Sequence, residues 1–326
     1  MNSKKLFQPG GNAKIFLVFA LSFTIFIAAV LVAHLIQTAF GRVEVSNVYY
    51  KNYNGKNIRA KLFRPISANA GNPMPGVVFI HGYQNNRESG DAYNIEMARR
   101  GFVVLGIDAI GRGNSDVPHD LEDPNFDSTF GTRSSVEYLR ALSFVRKSSL
   151  GIMGHSMGAK FAYQVALEDP DIRAVVIIGS AYDEQATLDN PKNMLMIIGE
   201  LDEFRDFFTH TKNLVEEWML TKATLKAFPD EQPQFDRLYG DFAQGTARKV
   251  FMPRISHIQE SHSPICIAEA LEWMKSSLHP PTEHWTDPSD QLWPIKEGLT
   301  LLAMLACFIC IMPIGLLLLK TDFFSA

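Results

Sequence analysis

The stretch SLGIMGHSMGAKFA, Ser149–Ala162, decides the fold. A short apolar run leads into Gly154-His155-Ser156-Met157-Gly158, and a helical pattern follows. That order is strand, sharp turn, helix, the setting in which G-x-S-x-G lifts a serine to the apex of a strained turn. The turn leaves no room for large neighbours, and glycine stands at 154 and 158 with Ala159 beside it. The serine hydroxyl then sits over a helix N-terminus, whose free N–H groups suit a developing negative charge.

Working outward, strands and helices alternate. Val43–Tyr50 and Ile58–Phe63 read as two strands around Asn54-Gly55, a tight hairpin signal. Gly76–Ile80 and Phe102–Ile107 are continuous apolar runs, as strands covered on both faces should be. Leu150–Met153, Ala174–Ile178, Met194–Ile198 and Lys249–Met252 complete the strand set. Helices are expected over Asp91–Arg100, Ser134–Arg146, Met157–Leu167, Asp206–Leu220 and Pro264–Leu278. The alternation predicts an α/β domain, with a mainly parallel sheet, helices on both faces and an antiparallel edge from the opening hairpin.

Two further stretches are charge-free. Ile15–Ala33 and Leu299–Leu319 run for roughly 19 and 21 residues, enough for helices to cross a bilayer core. The first is long for a signal-peptide core and lacks a clear cleavage site, which favours an uncleaved anchor. The expected organisation is a tail (1–14), a transmembrane helix (15–36), the α/β domain (42–279), a linker (280–296), a second transmembrane helix (297–319) and a tail (320–326). Lys4, Lys5 and Lys14 before the first span and Lys320 after the second place both ends in the cytoplasm and the domain outside it, by the positive-inside rule. A chain with more spans is an alternative reading.

Of 326 residues, 46% are hydrophobic and 20% charged, and the formal net charge of −4 argues against a nucleic-acid partner. Three cysteines make no disulfide framework, and Cys307 and Cys310 lie within an apolar run, as packing or lipid-facing residues. No metal-ligand spacing, P-loop or dinucleotide fingerprint is present, so no cofactor and no metal is expected.

Taken together, GHSMG at 154–158, His81-Gly82 after the third strand, and Asp108-Ala-Ile-Gly111-Arg-Gly113-Asn-Ser115-Asp116 after the fourth resemble the α/β-hydrolase superfamily. The chain order Ser, Asp, His agrees. Among its branches the chain is most similar to serine-nucleophile relatives of dienelactone hydrolase and acyl-peptide hydrolase. The resemblance implies a nucleophile at Ser156 and an acid after a late strand, for which Asp202 fits the G-x-x-D spacing ahead of Glu200, Glu203 and Asp183. It implies a base before the last helix, His257 or His262. His257 is preferred because His262 abuts Ser263-Pro264, a helix-start context. The implied oxyanion hole is the backbone N–H of Met157 and of Tyr83, with the Tyr83 hydroxyl either an additional donor or, in a loop tyrosine that contributes only its N–H, not used. His155 is expected to be structural, and Arg112 and Asp116 to secure their loop. Aromatic residues of 203–248 are expected to divide between core and a substrate pocket.

The implied function is a membrane-anchored serine hydrolase that cleaves a small-molecule ester, amide or peptide, with the lipid bilayer as its other partner. Acyl transfer by the same residues, and a non-catalytic hydrolase-like binding domain, are the alternatives.

Overall fold

The computed structural model describes residues 9–118, 126–321 and 323–324. Lys4, Lys5 and His119 lie outside the described residues. The chain divides into two compact units, residues 42–291 and the two terminal segments together.

The larger unit is built on an eight-stranded sheet. Its strands are β1 (Val43–Lys51), β2 (Asn57–Pro65), β3 (Met74–Ile80), β4 (Val103–Ile107), β5 (Val145–His155), β6 (Ile172–Ile178), β7 (Met194–Ile197) and β8 (Arg248–Phe251). Their order across the sheet is β1-β2-β4-β3-β5-β6-β7-β8. The hairpin β1–β2 is antiparallel, and so is the β2–β4 pair. Every pairing from β4 onward is parallel. All seven residues of β3 and all five of β4 are buried, which is why those runs carry no polar alternation. Each large aliphatic or aromatic side chain so buried stabilises the fold by roughly 1.5–3 kcal/mol.

Several boundaries differ from those read in the sequence. The hairpin turns through five residues, 52–56, because the Asn52 carboxamide oxygen accepts from the Asn54 and Lys56 N–H groups. The helix expected over Ser134–Arg146 occupies Thr132–Ala141, since Leu142 turns extended and the chain enters β5 at Val145. The helix expected over Asp206–Leu220 is broken into Arg205–Thr209, Leu214–Glu217 and a 3-10 turn at Trp218–Leu220. His210 adopts a left-handed conformation with φ of 53°, and the Asn213 side chain caps Val215, so no continuous helix can form. A further one-turn helix, His257–Glu260, occupies what the sequence presents as loop.

Residues 280–291, read as linker, belong to the larger unit. The buried Arg100 guanidinium donates to the backbone carbonyls of Thr286, Asp287 and Asp290 and pairs with the buried Glu96 carboxylate. Arg99 also pairs with Glu96 and reaches the Asp290 carboxylate.

The smaller unit holds two long helices, Pro9–Gln37 and Trp293–Leu318. Both are long and apolar enough to cross a membrane. They pack on one another, with Ser22 Oγ 3.0 Å from Cys310 Sγ. Cys310 is buried and Cys307 exposed. Their remaining surfaces expose large apolar side chains such as Phe16, Leu21, Leu31, Leu301 and Phe308, a surface soluble proteins avoid.

Candidate active site

β5 ends at His155, and the next residue, Ser156, sits at φ 54° and ψ −117° as the N-cap of the helix Met157–Glu168. A non-glycine residue at such a φ is strained and persists only where its surroundings impose it. Here they do. A Cβ on Gly154 would lie 2.5 Å from the Gly158 carbonyl carbon, and one on Gly158 would lie 2.5 Å from the His81 carbonyl oxygen. The helix start is thus pressed against both β5 and the end of β3. The Ser156 N–H donates to the Ile178 carbonyl at 2.7 Å, which pins the turn to the neighbouring strand. No acidic residue occupies the first turn of the helix, so its positive end is uncompensated.

The loop after β3 lies against this turn. A Cβ on Gly82 would be 3.0 Å from His155 Nδ1 and 3.4 Å from Ser156 Cβ, so this loop lies close against the serine turn. His81 is fully buried, and its Nε2 accepts from the Ala109 N–H at 3.1 Å. Its Nδ1 therefore carries the proton and donates to the Gly82 carbonyl at 2.8 Å. Burial lowers its pKa, in keeping with a neutral ring. Tyr83 follows, with an exposed ring covered by the Arg112 guanidinium at 4.7 Å. Among the described residues, neither the Tyr83 nor the Met157 N–H donates to a protein acceptor.

Asp108 is occupied structurally. It accepts from the Arg87 and Asn114 N–H groups at 2.7 and 2.9 Å and pairs with the Arg87 guanidinium. A side chain on Gly113 would collide with that carboxylate. Asp116 accepts from the Asn57 N–H and carboxamide, which ties the same loop to β2.

The opposite wall comes from the turns after β7 and β8. Asp202 is buried, and its Oδ1 accepts from the Phe204 N–H at 2.7 Å. Its Oδ2 lies 2.9 Å from His257 Nδ1. Glu203 accepts from the His257 N–H at 3.2 Å, and Asp183 from the Tyr163 hydroxyl at 2.9 Å. His262 is exposed, beyond the turn that His257 opens. The His257 ring lies 4.7 Å from that of His155, the residue before Ser156. Sequence reasoning missed Glu260, which is fully buried one helical turn after His257. The available signal was a His-x-x-Glu spacing, visible only once this segment is known to be helical.

Burial opposes protonation of His257, but the hydrogen bonds and charges of Asp202 and Glu260 outweigh it and hold its pKa at about 9. Ligand atoms of His155, His257 and Glu260 fall within 4.8 Å of one another. Asp202 already occupies the Nδ1 edge of His257, so this donor set fits a hydrogen-bonded acid–base network better than a metal seat.

Aromatic residues complete the surroundings. Phe204 meets the His257 ring edge-on at 5.1 Å, and Phe208 stacks on it at 5.7 Å. Phe208 also lines a cavity of about 850 Å³ with Tyr163, Leu167, Tyr182 and Trp218. Trp218, Phe228 and Tyr239 from the same segment are core residues.

Comparison with known proteins agrees with this architecture. Stretches of 146 and 110 residues align with two curated relatives. One is the uncharacterized protein YcjY of Escherichia coli K12, 28% identical over 42% of this chain and 47% of its own. The other is a serine hydrolase-like protein of Dictyostelium discoideum, 30% identical over 33% of this chain and 29% of its own. The chain thus spans about half or less of the length of these relatives. Among solved structures, an esterase of Pyrococcus furiosus superposes with a TM-score of 0.52 at 14% identity, covering 72% of this chain and 94% of the esterase. An S-formylglutathione hydrolase of Agrobacterium tumefaciens gives 0.51 at 14% identity, covering 73% and 96%. At that identity the likeness establishes the fold. Residues 71–236, which hold the serine turn, the Gly82 loop and Asp202, match the family model described as serine aminopeptidase, S33; the chain belongs to that family of α/β hydrolases.

Proposed function

We propose that this protein is a membrane-anchored serine hydrolase in which Ser156 is the nucleophile, His257 the base and Asp202 the orienting acid. The observation that carries the reading is the 2.9 Å contact between Asp202 Oδ2 and His257 Nδ1, on a ring 4.7 Å from that of His155, the residue before a serine at φ 54° on a helix N-terminus. A serine hydroxyl is a weak nucleophile at neutral pH and needs such a base. His257 Nε2 takes the hydroxyl proton as Ser156 Oγ attacks the substrate carbonyl carbon. Asp202 keeps the other nitrogen as the N–H tautomer and stabilises the imidazolium that forms. The oxyanion is met by the Met157 and Tyr83 N–H groups. His257 then gives its proton to the departing group, and a water attacks the acyl-enzyme along the reverse route.

A carboxylic ester is the favoured substrate class, supported by the esterase fold of the structural neighbours and the aromatic surface of Phe204 and Phe208 beside His257. The family description as aminopeptidase makes an amide the second class to test. The two apolar helices support anchoring in a bilayer, and Lys14 and Lys320 support cytoplasmic ends with the catalytic unit outside.

The test is fluorophosphonate labelling, followed by turnover of p-nitrophenyl esters of rising chain length and of aminoacyl nitroanilides. Ser156→Ala should abolish labelling and lower kcat by roughly 10⁴–10⁶. Normal turnover by a folded Ser156→Ala would overturn the reading.

A further inference from the structure

Glu260 has no role in the mechanism above, yet it is a fully buried carboxylate at its centre. Its Oε1 accepts from the Gly199 N–H at 2.7 Å, on the turn that carries Asp202. Its Oε2 lies 3.3 Å from His155 Nε2 and 3.4 Å from His257 Nδ1. His155 Nε2 is also 3.2 Å from the His257 carbonyl. The Gly199 N–H holds Oε1, while Oε2 has no hydrogen-bond partner among the described residues and makes only close approaches to the two rings. A Cβ on Gly179 would collide with Oε2, so glycine there leaves the space that Glu260 fills. The Tyr93 hydroxyl donates to the Glu260 carbonyl at 2.8 Å and anchors the turn from the opposite side. A buried carboxylate is costly unless it is compensated, and its Oε2 lies against two imidazoles.

We infer that Glu260 is a positioning residue of the acid–base machinery: a second carboxylate that shares the Nδ1 edge of His257 with Asp202 and seats His155 against the serine turn. This rests on His257 being the base. When the serine proton reaches Nε2, the resulting imidazolium faces two carboxylates rather than one, and it is held more firmly than Asp202 alone would hold it. The same arrangement keeps the resting imidazole protonated to higher pH, so the free base that starts the reaction appears only under alkaline conditions.

Titratable groups face this network from every packed element. On its own turn there is His257, and from the β7 turn Asp202, with Glu203 on the His257 backbone N–H. From β5 there is His155. From the packed helices come the Tyr93 hydroxyl and the Cys266 thiol, both pushed toward their neutral forms by burial. Among the described residues no lysine or arginine pairs with the Glu260 carboxylate, and the two imidazoles are its nearest basic groups.

The experiment uses the full chain in detergent, labelled with ¹⁵N-histidine, and follows the His257 ring through a pH titration, with the resonance identified by its loss in His257→Gln. The wild-type midpoint should lie near 9. Glu260→Gln should lower it by about one unit or more, since one of two stabilising charges is gone. Asp202→Asn leaves Glu260 in place and should keep the midpoint above the ordinary histidine value of about 6.5. An unmoved midpoint in folded Glu260→Gln overturns the proposal. So does a midpoint at or below the ordinary value in Asp202→Asn, which also decides the matter if Glu260→Gln does not fold. In ester turnover, the acid limb of the kcat/KM profile should move with the Glu260→Gln midpoint. If the ring titrates as expected but Ser156→Ala still turns over, the nucleophile assignment fails and the Glu260–His257 coupling stands.

Discussion

At the scale of single residues, the choice between two histidines decides the chemistry. His257 opens a one-turn helix with Nδ1 on Asp202, whereas His262 is exposed past the end of that turn. His257→Ala should lose nearly as much ester turnover as Ser156→Ala, and the double variant should be little worse, because residues acting as a unit are not additive. His262→Ala should keep most of its activity; a dead His262→Ala exchanges the two roles. On the proposed mechanism the same histidine sets the pH dependence. Its pKa is raised to about 9, so the neutral base is scarce at pH 7 and turnover should climb as pH rises through that value. For stability the sign is opposite. The folded state holds that proton more tightly than the unfolded chain, so the contribution is complete below about pH 6.5 and is lost as pH rises through about 9.

At the scale of elements, the serine turn is held by glycines whose neighbours are backbone atoms that cannot swing aside. Gly158→Ala places a methyl against the Ile80 and His81 carbonyls and should cost about 1–3 kcal/mol, read as a lower midpoint of thermal unfolding. This turn was legible in the sequence because its chemistry is local: strand, tight turn and helix follow one another within 14 residues, Ser149–Ala162. The segment after Asp202 was less legible. Helical spacing over Asp206–Leu220 was genuine, but His210 in the left-handed region and the Asn213 cap interrupt it, and neither residue announces itself as a breaker. Glu260 was illegible for another reason. A glutamate in a polar stretch reads as solvated, and its burial follows from Gly179, Gly199 and His155, which lie on other strands and turns.

At the scale of the whole molecule, the two terminal helices and the α/β unit make separate demands on the surroundings. The helices expose apolar side chains that favour a lipid environment, while the larger unit carries its own core. An alkaline phosphatase fusion after Pro280 should be active and a green fluorescent protein fusion at the same point dark, as expected for an extracytoplasmic catalytic unit. The reverse pattern would place the unit in the cytoplasm. The α/β class was evident from element alternation alone, since parallel strands need helical crossovers.

The sheet order has one more consequence, for how the molecule ages under heat. Ser156 hangs from β5, which is paired on both sides by β3 and β6. Asp202 and His257 hang from β7 and β8, strands of four residues each, and β8 is the sheet's last. Short margins open before centres do. On the proposed mechanism, warming should therefore detach His257 from Ser156 and silence catalysis while most of the fold persists. Residual activity along a heating ramp should fall ahead of far-ultraviolet circular dichroism and return on cooling from that interval. Coincident curves would mean that margin and centre melt as one.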